Sequence, residues 1–168
     1  MKKTAVTAAL MVAILGLSAC NNPNRYGAGG AGAGAGAGYG SGASNPASPE
    51  YFRATVGETV LFPVDQSSLT EAARSTLNGQ AVWLNQNTRY GARIEGHADE
   101  QGTREYNLAL GARRANAVQE YLISRGVAGN RLSTVSYGKE RPIAICSEES
   151  CYARNRRAVT ALQGAVGS

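Results

Sequence analysis

Residues 27–42 read GAGGAGAGAGAGYGSG, and this tract constrains the chain more than any other feature. It has no apolar period, and glycine loses more conformational entropy on ordering than any other residue. A core must therefore be built elsewhere, and the stretch from Asn21 to about Glu50 reads as a linker. Some 30 residues of Gly-rich coil have an r.m.s. span of roughly 30 Å and a taut limit near 100 Å. A phosphate-cradling loop is excluded, because no Gly-Lys-Ser/Thr follows and no strand precedes it. Silk-like stacking would need a longer tract. What remains is a body of about 118 residues after position 50, enough for one domain.

The other end of the linker is equally legible. Lys2 and Lys3 precede an uncharged apolar run, Thr4 to Leu17. A spanning helix needs about 20 apolar residues, so the run reads as the core of an export signal. It leads into Leu17-Ser18-Ala19-Cys20, which resembles a bacterial lipobox. The expectation is a signal over residues 1–19, a lipidated Cys20 with the linker over 20–50, and a folded domain over 51–168. Three acyl chains anchor stably where one is marginal. Asn21 stands where an Asp tends to retain lipoproteins at the inner membrane, so the expected location is the outer membrane, with the domain in the periplasm. A secretory signal with a chance cysteine is the plainer alternative.

Charge narrows the partners. With Lys2, Lys3 and Arg25 set aside, the rest of the chain carries 14 basic against 12 acidic side chains. That balance does not make the dense basic face that nucleic acid requires. Two cysteines remain beside Cys20. Cys146 and Cys151 close a short loop that an oxidising compartment would keep bridged; free thiols or a zinc site are the alternatives. Zinc needs further ligands, and the only histidine, His97, is far away in sequence. No metal or cofactor is expected. Because that loop precedes the last strand and is not the Asp99 loop, losing its bridge is expected to cost stability and not ligand binding directly.

The body alternates strand and helix. Glu58 to Phe62 is β-rich and stops at Pro63. Ser67 or Ser68 is a candidate cap for a helix to about Leu84, in which Leu69, Ala73, Leu77, Ala81 and Leu84 recur on one face. Ala92 to Glu95 reads as a strand, Gly96 to Thr103 as a loop. A second helix runs from about Glu105 to Arg125, with Gly111, Ala115, Val118 and Leu122 on one stripe and Gly126 as its stop. Leu132 to Tyr137 and Arg156 to Leu162 are the last strands. The expected class is α+β: a βαβαββ sandwich, two main helices packed on one mixed sheet.

The chemistry-bearing stretch is Gly96-His97-Ala98-Asp99-Glu100-Gln101-Gly102-Thr103, followed by Asn107, Leu110, Gly111, Arg114 and Ala115. Asp99 lies at a strand's end and Arg114 fifteen residues on, inside the helix. Held a few Å apart, the two could receive a zwitterion, the carboxylate taking an ammonium and the guanidinium forking onto a carboxylate. The plainer reading is a salt bridge between them that pins loop to helix, with Asn107 as a cap. Residue types alone leave the two readings level.

Those motifs, with Ser136-Tyr137-Gly138-Lys139-Glu140-Arg141-Pro142 and Asn155-Arg156-Arg157-Ala158-Val159, resemble the OmpA-like peptidoglycan-binding domain family, and within it the peptidoglycan-associated lipoproteins. The resemblance covers about residues 55–162. It implies a non-enzymatic domain that holds the peptide stem of peptidoglycan, Asp99 taking the amine of diaminopimelate and Arg114 its carboxylate. Asn107 would support the loop, with Gly96, His97 and Gly102 around it. Phe62 and Asp65 match a motif beside the pocket. Relatives often carry Arg where this chain has Gln101, and the Cys146/Cys151 insertion is not general. The resemblance also implies partnership with TolB and other Tol proteins, in a system for envelope integrity and outer-membrane constriction at division.

Several residues have rival readings. His97 could be a base, but without a nucleophile it reads as packing or hydrogen bonding. Glu95, Asp99 and Glu100 could supply a glycosidase pair. Arg154, Arg156 and Arg157 read as a solvated strand end or a contact to anions. Tyr106 and Tyr121 read as part core, part ligand rim.

Overall fold

The computed structural model describes residues 45–165. The expected signal, Cys20 and the Gly-rich tract lie outside the described residues.

Four strands form one mixed sheet: β1 (Thr59–Leu61), β2 (Tyr90–His97), β3 (Leu132–Gly138) and β4 (Arg157–Ala165). Their order is β1-β4-β2-β3. The last strand inserts antiparallel between β1 and β2, while β2 and β3 run parallel. Parallel neighbours need a crossover, and α3 (Arg104–Ser124) supplies it. The other main helix, α2 (Glu71–Gln86), joins β1 to β2. Two main helices on a mixed sheet are the expected class.

The helical faces follow their periodicity. Ala73, Leu77, Ala81 and Leu84 are buried from α2, and Gly111, Ala115, Val118 and Leu122 from α3. They close on Val60, Ile94 and Ala158 of the sheet. Gly126 adopts φ +90 after α3, and Val127 N–H bonds back to Leu122 O. That left-handed residue is the stop expected there.

Boundaries differ from expectation in six places. The cap of α2 is Thr70, whose hydroxyl accepts from Ala73 N–H at 3.2 Å, and not Ser67 or Ser68. The strand β2 extends through His97, because Gly96 and His97 still pair with β3. Conversely, β1 is only three residues long, and β4 begins at Arg157. A helix, α4 (Glu149–Asn155), precedes β4, so the order βαβαββ gains about two helical turns before its last strand. Finally, residues 45–50 are built into the domain rather than the linker. Ser48 caps α1 (Pro49–Tyr51), which runs on into a wider turn, Phe52–Val56. Trp83 Nε1–H donates to Pro46 O at 2.7 Å, and the Trp83 ring lies 4.9 Å from Phe52 and 5.3 Å from Tyr90.

Gln80 is completely buried in this otherwise apolar layer. Its amide donates to Gly57 O and accepts from Thr160 Oγ1, both at 2.7 Å, so both ends are satisfied.

Candidate functional site

The site begins with two glycines. A Cβ on Gly96 would lie inside contact distance of the Gly111 carbonyl, and one on Gly111 would strike Ser136. Their absence lets α3 lie directly on β2. Asn107, Gly111 and Arg114 are spaced four and three apart on one helical face. The close approach therefore carries both polar side chains beneath the loop that leaves the end of β2.

That loop is held from several sides. Ala98 N–H bonds to Gly138 O at 2.8 Å. Asn107 Nδ2 donates to Gln101 O at 2.7 Å, so Asn107 braces the loop, while the cap of α3 is Thr103. Lys139 Nζ donates to Gly102 O at 2.7 Å, where Gly102 has φ +90. Asp99 Oδ1 accepts from Gln101 N–H at 3.2 Å. The opposite wall is the turn after β1, where Asp65 sits at φ +53 and accepts from the Tyr106 hydroxyl at 3.2 Å. Tyr106 is 43% exposed, as a rim residue would be, whereas Tyr121 packs against the core.

Arg114 is 0% exposed. Its Nε donates to Gln66 O at 2.8 Å, Nη1 to His97 O at 2.8 Å and Nη2 to Pro63 O at 3.1 Å. The guanidinium lies 5.2 Å from the centre of the Phe62 ring, which gives buried Phe62 its place in the site. Among the described residues no carboxylate lies within ion-pair distance of it. Burial pushes Arg114 down to about 10, an effect that Asp99 opposes and Arg156 reinforces. It remains a cation at neutral pH, covered and caged by carbonyl dipoles. Of its five N–H groups, these bonds use three, leaving one on each Nη.

Asp99 does form the ion pair that the plainer reading expected, but with Arg156 in place of Arg114. Arg156 Nη1 stands 3.1 Å from Asp99 Oδ2, both side chains nearly covered. Arg156 also pairs through Nη2 with Glu149 and donates from Nε to Phe62 O at 3.3 Å. Burial alone lowers Arg156; its bonds from Glu149 and Asp99 more than offset that and raise it above the ordinary arginine value. Arg157 is also buried, donating to Arg141 O at 3.2 Å, and Asn155 clasps Ala144 through both N–H and C=O. The expected solvated strand end is therefore wrong for Arg156 and Arg157; of the three arginines only Arg154 is exposed.

Cys146 and Cys151 are joined by a disulfide, their Cα atoms 5.8 Å apart. The segment around that disulfide touches the Asp99 loop. Ser147 Oγ and Tyr152 Oη donate to Glu100 Oε1 at 2.9 and 2.8 Å. Those bonds, Tyr152's first, hold the Glu100 carboxyl below its usual range. A general acid needs the opposite shift. Glu95 is bonded to Arg93 at 2.7 Å, so the three carboxylates weighed as a glycosidase pair are engaged otherwise.

His97 is buried, with its ring 5.4 Å from Tyr137. Both ring nitrogens lack a protein partner among the described residues. Burial, reinforced by Arg157 and Arg141, lowers it to about 4. Its contribution to the site is its carbonyl, which accepts from Arg114. Among the described residues no group of three or more His, Cys, Asp or Glu could hold a metal, and no helix is long and apolar enough to cross a membrane. A surface hollow lined by Asn45, Ser48, Pro49, Arg89 and Tyr90 contains none of these residues.

The sequence reading missed Glu149 and the pairing role of Arg156. They are seven residues apart, two helical turns, so a helix recognised at 149–155 would have placed them together.

The family model described as the OmpA family matches residues 61–156. The chain is 49% identical over 155 residues to the peptidoglycan-associated lipoprotein of Mesorhizobium japonicum, covering 92% of this chain and 88% of that one. It belongs to the OmpA family, among the peptidoglycan-associated lipoproteins. The lipoprotein of the same name from Rhizobium meliloti is 56% identical over 124 residues, covering 74% of this chain and 70% of its own. Among solved structures, the peptidoglycan-associated lipoprotein of Burkholderia pseudomallei aligns with a TM-score of 0.66 at 35% identity, over 71% of this chain and all of that one. The C-terminal domain of Helicobacter pylori MotB shares the OmpA-like fold at 23% identity, with a TM-score of 0.59 over 63% of this chain and 84% of its own.

Proposed function

We propose that this lipoprotein tethers the outer membrane to the cell wall without catalysis. Lipid on Cys20 holds one end in the outer membrane, the Gly-rich linker spans the gap, and the domain holds the diaminopimelate-containing stem peptide of peptidoglycan. Asp99 takes the ligand's ammonium. Arg114 takes its carboxylate through the N–H on each Nη that the carbonyl cage leaves over. The observation that carries this reading is the state of Arg114: a covered guanidinium with three carbonyl acceptors and no carboxylate partner among the described residues. A buried charge is costly unless paired, and a ligand carboxylate completes the pair. Reaching it requires the Pro63–Gln66 turn to open. The names of the relatives support peptidoglycan as the ligand.

By family analogy the domain works in a Tol-Pal-type system that maintains the envelope and draws the outer membrane inward at division, with TolB as a periplasmic partner. Protein docking as the main role is the second reading. It is favoured by Ile143 and Ile145, 54% and 93% exposed, the second next to the disulfide. Pull-down of the full lipoprotein on purified sacculi separates the two. Binding that free meso-diaminopimelate abolishes supports the tether, and no retention on sacculi refutes it.

A further inference from the structure

The charges around the site do not balance on the two ligand-binding residues alone. Asp99 faces two guanidinium groups: Arg156 at 3.1 Å, and Arg114, whose charge is felt at Asp99 without an ion-pair contact. A carboxylate between two covered cations has little net charge to offer an ammonium. Glu149 changes that sum. It takes Arg156 with two contacts, one to each Nη, which leaves Asp99 a single Nη1. With Glu149 counted, two carboxylates, Asp99 and Glu149, share Arg156, and Asp65 adds a further negative charge near Arg114. Glu149 offsets part of the Arg156 charge that Asp99 would otherwise meet by itself. Asp99, though still paired with Arg156, thus keeps more of its negative charge for a zwitterion's ammonium, with Arg114 as the other half of the receptor.

Glu149 is also placed by a covalent device. It lies in the first turn of α4, where Cys151 N–H and Tyr152 N–H both bond to Glu148 O. The Cys146–Cys151 disulfide closes that turn. The same segment holds Glu100, next to Asp99, through Ser147 and Tyr152. Disulfide, helix start and binding loop thus form one connected unit.

We infer that Glu149, held by the disulfide-closed start of α4, is a positioning residue for the ligand site: it occupies Arg156 so that the Asp99 carboxylate stays available to a cationic ligand. This inference rests on the function proposed above. Glu149 is itself largely exposed and is not assigned a contact with the ligand.

The test is calorimetric titration of the full lipoprotein, disulfide intact, with the tripeptide L-Ala–D-Glu–meso-diaminopimelate. Glu149→Gln keeps the side-chain size, and its amide oxygen still accepts from Arg156, but the charge is gone. It is expected to weaken binding about tenfold. Glu149→Asp restores the charge and is expected within about threefold of wild type. If Glu149 acts through Asp99, the two are not additive: in the Asp99→Asn background, Glu149→Gln costs less than about a further twofold. Wild-type affinity in Glu149→Gln, no rescue in Glu149→Asp, or losses that multiply independently would each overturn the inference. In those cases the proposed function stands, provided Asp99→Asn alone weakens binding. Wild-type affinity in Asp99→Asn overturns the function itself, and this inference with it.

Discussion

At Arg114 the fold covers a guanidinium completely and surrounds it with carbonyls. Truncating either member of the proposed receptor leaves a ligand charge unpaired in a partly desolvated site. Asp99→Ala and Arg114→Ala are each expected to cost roughly 2–5 kcal/mol of binding, about 30-fold to several thousand-fold in affinity. Arg114→Lys is expected to weaken binding as well, because an ammonium cannot reproduce the planar fork. Titration with the stem peptide, well below each variant's melting temperature, measures both; unchanged affinity in Asp99→Ala would sink the assignment. Gly96 tests the architecture rather than the ligand. Gly96→Ala puts a methyl against the Gly111 carbonyl, which is backbone and cannot swing aside. A loss of about 1–3 kcal/mol or more is expected in urea unfolding, and a variant as stable as wild type would show that α3 can slide on β2. At this scale the sequence marked Asp99, Asn107 and Arg114 correctly as residues of one neighbourhood. It did not reveal that Asp99 pairs with Arg156, because nothing local in Asn155-Arg156-Arg157 distinguishes a covered arginine from a solvated one.

The helices were legible where they were long. Sixteen and twenty-one residues give α2 and α3 several turns over which an apolar stripe repeats. The seven residues of α4 give fewer than two turns, too few for a period, and none of its residues except Asn155 is buried. The cap of α2 was misplaced by two residues or more, since Ser67, Ser68 and Thr70 are chemically equivalent caps. Only the direction of the chain after Pro63 chooses among them. The disulfide belongs to this scale. In the chain-entropy model, closing so short a loop stabilises by about 2 kcal/mol. The double variant Cys146→Ser, Cys151→Ser is expected to lose that amount in unfolding experiments. It is also expected to bind the stem peptide less tightly, because Glu100 and Glu149 lose their common support. Stability lost with affinity fully retained would show that the segment stabilises without positioning.

For the whole molecule, acidity and attachment are the measurable properties. His97 is buried as the neutral ring, lowered from 6.5 to about 4. Between those values the unfolded chain binds the proton and the folded chain does not. Stability from this group is therefore complete above about pH 6.5 and falls by about 3 kcal/mol as the pH drops through 4. Urea midpoints against pH for wild type and His97→Phe test it; parallel profiles would exclude His97 as the cause. Attachment is proposed to rest on Cys20. Cys20→Ser is expected to accumulate as an uncut precursor without label from radioactive fatty acid, and wild-type labelling would place the lipid elsewhere.

Short-range periodicity, plain in the sequence, was enough to set the α+β organisation of the folded body. The 3.6-residue repeat placed the two long helices, and Gly126 ended the second. Those properties depend on residues within a few turns of one another. Tertiary structure alone decided the electrostatics of the site. Asp99 meets Arg156 across 57 residues only because β4 enters the sheet between β1 and β2. Arg114 is covered only because the turn after β1 folds over it and presents the Pro63 and Gln66 carbonyls. A guanidinium's burial and its choice of partner are set by which backbone passes within about 3 Å of it, and no local pattern in the chain records that distance.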